Sequence, residues 1–218
     1  MTPDRRTALV AGVLFLLTEV AAIAGLALYR PLLDGAPGAG TRALVGVVCE
    51  LVLVCAVVGT GAALFPVVRR WGEGPAIGYL CARALEAAVI LVGVIAVLSL
   101  VTVRRDAPAA GGEAVDVALV AVHDWTFLLG PNVALGLNTA LLAYLMYRSR
   151  LVPRVIAVLG LVGGPLICAS AVAVMFGLYD QLSPAGTLAA LPVFAWELAL
   201  AIRLLVKGWD APGHPQGR

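Results

Sequence analysis

AIGYLCARALEAAVILVGVIAVLSLVTV, residues 76–103, is a continuous apolar run carrying two charges where a bilayer would hold neither comfortably. It has no period-two alternation and exceeds the ~20 residues that an α-helix needs to cross a membrane, so it reads as a spanning helix rather than a strand. Arg83 and Glu86 stand three apart and share a face, with Tyr79 one turn before Arg83. A charge at bilayer depth costs roughly 2.5–3.5 kcal/mol by insertion scales. Such a pair therefore turns inward, where each group neutralises the other or finds partners on neighbouring helices.

Working outward, five more runs of this kind appear, at 7–29, 43–67, 117–147, 154–179 and 188–207. Hydrophobic residues make up 61% of the 218 and charged residues 13%, about half the ~25% usual in soluble domains. With a mean hydropathy of +1.00, only a membrane protein fits. Continuous runs favour helices over a barrel, whose strands would alternate. The expected fold is all-α: one transmembrane domain of six helices over 1–209, followed by a disordered tail at 210–218. The Ala-Gly-rich segment between Arg104 and Asp116 reads as a flexible linker between two groups of three spans. The N-terminal run is too long for a signal peptide and reads as a retained first span.

The basic residues suggest an orientation. Arg5, Arg6, Arg69, Arg70, Arg148, Arg150, Arg154, Lys207 and Arg218 fall at one end of such a bundle, against Arg30, Arg42, Arg104 and Arg105 at the other. Both termini are thus expected in the cytoplasm. The abundance of arginine, with a single lysine, and of alanine, glycine and valine points to a bacterial inner membrane. A net charge of +2 excludes nucleic acid as a partner. The four cysteines, all in apolar runs and without a C-x-x-C pair, read as packing residues. There is no H-E-x-x-H, P-loop or G-x-S-x-G signature, and no cofactor or metal is expected.

The candidates for function are the other polar groups inside the spans. Glu197 is central in the last span and has no partner on its own helix, since Arg203 lies about 240° around. Arg83, at similar depth, is its obvious partner. Glu19 is central in the first span among Phe15, Leu16, Ala22 and Ile23. Glu50, His123 and Asp124 fall in the outer halves of their spans, as a hydrogen-bonded cluster rather than a chelate, because His123 and Asp124 point about 100° apart. Asp124, Pro131 and Asn138 recur every seven residues and form a stripe. Pro131 deprives the Phe127 carbonyl of its helical donor, so a neighbouring helix or water must supply one, and Asn132 lies next to the break. The catalytic candidates are Glu86, Glu197, Asp124 and Glu19. The wider polar cluster adds Arg83, Tyr79, Asn132, Asn138, Glu50 and His123.

The turn Tyr147-Arg148-Ser149-Arg150-Leu151-Val152-Pro153-Arg154, the Arg83-x-x-Glu86 pair, Leu129-Gly130-Pro131 and the ending Pro192…Glu197…Leu204-Leu205-Val206-Lys207-Gly208-Trp209 resemble a bacterial membrane-protein family described as domain of unknown function 4386. The resemblance implies a compact polytopic protein of the inner membrane and carries no activity. Arg83, Glu86, Pro153, Glu197 and Lys207 match the family's recurring polar pattern.

Three functions suit these residues. The simplest is a non-catalytic accessory membrane protein, with the ionisable groups tying helices together. A second is an acid–base enzyme, or a binding protein, for a lipophilic, terpenoid-like molecule held within the bilayer. A third is a small proton-coupled transporter, which with so few spans would act as a homodimer.

Overall fold

The structure, a computed structural model, describes residues 3–106 and 108–210. Six helical spans are present among the described residues, and no strand is. The chain rises through α1 (Pro3–Leu33), returns through α2 (Gly40–Val68) and rises again in α3 (Glu73–Asp106). The fourth span is composite: α4 (Pro108–Leu128), a π-helical turn (Leu129–Ala134) and α5 (Leu135–Ser149). It is followed by α6 (Arg154–Met175) and α7 (Pro184–Val206).

Each span packs on the next, α3 meets both halves of the fourth, and α7 closes back on α1. The six spans therefore form a ring around an interior. Its closure is polar at the end that holds both ends of the described chain. The Arg5 guanidinium donates to the carbonyls of Leu204 (2.9 Å) and Leu205 (2.7 Å), and Trp209 Nε1 donates to the Asp4 carbonyl (3.1 Å). Side chains such as Val13, Val20, Ile95 and Val155 point outward and are exposed, as a lipid-facing shell requires.

Two apolar cores fill the ring, one above the other. The first, at the closed end, contains Phe15, Leu64, Tyr79, Met146, Trp196 and Leu200. The second, at the opposite end, contains Leu32, Val47, Leu53, Ile90 and Leu100. On α3, Tyr79 belongs to the first core and Ala87 to the second, so Arg83 and Glu86 fall at the join. The junction between the cores is where the polar site lies.

The helices overrun the expected spans at most ends, because a helix continues into the polar boundary once its core-crossing part is formed. At the end of α1, Arg30 pairs with Asp34 at 3.0 Å. The fifth span instead stops at Met175, before 179, where Gly177 takes a left-handed φ of +72°. The linker expected between Arg104 and Asp116 is mostly helix, broken at Gly112 (φ +59°). Alanine favours helix strongly, and Arg104 ties the corner by pairing with Asp116 (2.7 Å) and donating to the Leu32 carbonyl (2.6 Å). Asp210, expected in the tail, pairs with Arg203, and its amide donates to the Leu151 carbonyl at 2.8 Å. The remainder of that tail, 211–218, lies outside the described residues.

Candidate functional site

Arg83 is 1% exposed and reaches two carboxylates. Its Nη1 donates to Glu86 Oε2 at 3.1 Å, on its own helix, and its Nη2 to Glu197 Oε1 at 2.8 Å, on α7. Asn138 Nδ2, from α5, donates to the same Glu86 oxygen at 2.7 Å. The guanidinium carbon lies 5.2 Å from the Phe15 ring centroid and 5.9 Å from that of Tyr79, within cation–π range. Four spans thus converge on one buried cation. Close packing lets them do so: Gly61 of α2 faces Arg83, and on α6 Gly160 faces the indole of Trp196, the residue beside Glu197.

Next to this network is a cavity of about 290 Å³. Glu19, Arg83, Glu86 and Glu197 line it, and most of the rest is apolar, including Leu53, Ile90, Phe127, Ile167 and Val193. Glu19 on α1 and Glu197 on α7 both line it, beyond the stretch where Arg5 and Gly12 hold α1 against the far half of α7.

The polar groups toward the other end of the bundle gather elsewhere. Tyr29, Glu50 and His123 line a second cavity of about 190 Å³, and Ala22, Leu53, Ile90, Phe127 and Pro131 serve as walls to both. The His123 ring meets Tyr29 edge-on at 5.1 Å and stacks on Phe127 at 6.0 Å. Glu50 lies over Gly25, where a Cβ would come within 2.7 Å of its Oε1. The two cavities share a largely apolar partition, with acids on either side of it.

Asp124 departs from the expectation. Its side chain is 63% exposed and lines neither cavity, although its carboxylate lies 3.3 Å from His123 Nδ1. The stripe that joined it to Pro131 and Asn138 assumed unbroken α-helix, in which two heptads return to within ~40° of the starting face. The π turn holds one extra residue and rotates the earlier half by roughly another 100°. Asn138 stays inside, fully buried, and Asp124 turns out.

Gln181, in the connection between α6 and α7, carried no signal of its own in the sequence. Its Nε2 donates to the Phe127 carbonyl at 3.1 Å and to Asn132 Oδ1 at 3.2 Å. It is the donor that the Phe127 carbonyl lacks because of Pro131, and the orphaned carbonyl was the available clue. Replacing Gln181 with leucine leaves that carbonyl unsatisfied beside the cavity. The expected loss is about 1–3 kcal/mol, read as a lower midpoint in detergent unfolding titrations. A midpoint equal to that of the parent protein would show that the carbonyl finds another donor.

Among the described residues, no three His, Cys, Asp or Glu side chains converge as metal ligands would. A family model described as "Domain of unknown function (DUF4386)" matches residues 10–208. Comparison with curated proteins and with solved structures gives no match.

Proposed function

The chain belongs to this family, whose description fixes no activity, and from its own six membrane-spanning helices and their geometry we propose that it binds a lipophilic small molecule inside the ring of helices. The polar head of that molecule lies at Glu19 and Glu197, and its tail lies against the apolar wall at Ala22, Leu53 and Ile90 that the second cavity shares. One observation carries this reading: four ionisable side chains line one cavity, whose rim includes the exposed Leu182 and Phe194. Protein interiors are close-packed, and a network serving only to tie helices together needs no empty space beside it. Two ion pairs to Arg83 account for the network and leave the cavity unexplained. At about 290 Å³ it sits at the small end of the ~300–1,000 Å³ typical of ligand sites, before the adjoining cavity is counted. Any acid–base step on the bound molecule would fall to Glu19 and Glu197, while Glu86, enclosed by Arg83 and Asn138, anchors the guanidinium.

The test is equilibrium binding of decan-1-ol to the protein in lipid nanodiscs. Saturable binding is expected in the parent protein and is lost in Ala190→Trp, which places an indole in the cavity. Equal uptake by the parent and Ala190→Trp proteins would mean that the probe sits only in lipid, and the proposal would fail.

We further propose that both termini are cytoplasmic in a bacterial inner membrane, on the arginine distribution given above. Alkaline phosphatase inserted after Gly38 is then active and the same enzyme fused after Trp209 is inactive; the reverse pattern refutes the orientation.

A further inference from the structure

The charges around the cavity do not balance. Glu19 on α1, Glu86 on α3 and Glu197 on α7 supply three carboxyls, and Arg83 supplies the only cation lining it among the described residues. The remaining elements face it with uncharged groups: Leu53 from α2, Asn132 from the π turn, Ile167 from α6 and Gln181 from the loop. With Arg83 committed to Glu86 and Glu197, two further positive equivalents are needed for neutrality in a low-dielectric interior. Before a ligand enters, those equivalents are protons held on the carboxyls, and Glu19, which has no part in the Arg83 ion pairs, is the first to hold one. An anionic head would add to the excess. Nor does the polar floor close on itself, because Arg83, 1% exposed and on the cavity wall, leaves its Nε–H without an acceptor, which a hydroxyl or water beside the ligand head would supply and an ammonium would not.

Resting on the binding function proposed above, we propose that the ligand is a lipophilic amine, and that its ammonium head enters in exchange for one of the protons held on these carboxyls. The exchange balances: an alkylammonium ion and the protonated site give the occupied site and one released proton. The cluster keeps its net charge, and the ammonium N–H groups donate to the carboxylate that the departing proton leaves. The apolar wall at Ala22, Leu53 and Ile90 receives the alkyl chain.

The experiment compares decylamine, decan-1-ol and decanoate on the protein in nanodiscs of uncharged lipid, with Ala190→Trp as the background. Decylamine is expected to bind at least tenfold more tightly than the alcohol, and decanoate more weakly than either. Amine affinity rises about tenfold per pH unit while the exchanging proton remains on the protein, since higher pH favours a reaction that releases a proton. In weakly buffered suspension, amine binding releases about one proton per site and alcohol binding none. Decyltrimethylammonium, with no titrating proton of its own, shows the same pH slope. In Glu19→Gln the slope and the proton release disappear. That variant is judged alongside its unfolding midpoint, and the parent protein's head-group order and slope stand without it. Decanoate binding as tightly as decylamine overturns the inference, as does amine binding that is flat with pH and releases no proton. If decan-1-ol saturates the site and the amine gains nothing, this inference alone fails; if no probe saturates it, the binding function fails with it.

Discussion

Replacing Arg83 with methionine destabilises the protein by about 3–5 kcal/mol, the penalty for removing one partner of a buried ion pair and leaving the other uncompensated. The effect should lie at the top of that range, because Arg83 serves both Glu86 and Glu197 and stacks near Phe15. The measurement is the midpoint of unfolding in a graded mixture of denaturing and mild detergents. The companion variant is Arg83→Met with Glu86→Gln and Glu197→Gln, in which no carboxylate is stranded. It should regain more than half of the loss, since replacing a whole buried pair is often close to neutral. If Arg83→Met unfolds at the parent midpoint, the carboxylates are not held by the guanidinium and the central network is misassigned.

Gly164→Leu should cost at least about 3 kcal/mol, at or beyond the upper end for overpacking. A Cβ at Gly164 would stand 2.6 Å from the Gly136 carbonyl oxygen and 2.9 Å from the Ala140 amide nitrogen. Both are backbone atoms, which cannot rotate away as a side chain can. Helices α5 and α6 would have to separate, and the strain would pass along α6 to Gly160, which packs on the indole of Trp196. Small residues at such crossings are a general device of membrane bundles. Gly74 is the control: nothing lies within 4 Å of a Cβ there, so Gly74→Ala should change stability by less than ~0.5 kcal/mol. Equal midpoints for the two variants would show that the helices are not in contact at Gly164.

The six spans were legible because lipid tolerates little else: a long apolar run has one stable way to satisfy its backbone. Their ends were harder to read, since the interface accepts helix and loop alike, as at Gly112 and Met175. The Arg83–Glu197 pair was also readable, because two lone opposite charges at one depth have few other partners. Glu50, His123 and Asp124 were grouped by depth alone, and depth does not set which way a side chain points. The structure keeps the first two inside and turns the third out. Sequence gives little warning of a π turn, because proline marks a break without stating whether the helix bends, stops or widens. Gln181 was hidden for a different reason. A loop has no periodicity, so only the orphaned carbonyl at Phe127 indicated that some donor must be present.

The six-residue stretch Leu129–Ala134 looks, in these terms, like an α-helix with a supernumerary residue. Removing a single codon there would return the helix to ordinary pitch and swing its outer half by roughly a quarter-turn or more. His123 would then leave the second cavity and Phe127 the partition between the two. A one-amino-acid deletion there would redraw both cavities while sparing the ion pairs, whereas the same deletion in the Gly35–Gly38 turn would only shorten a surface loop.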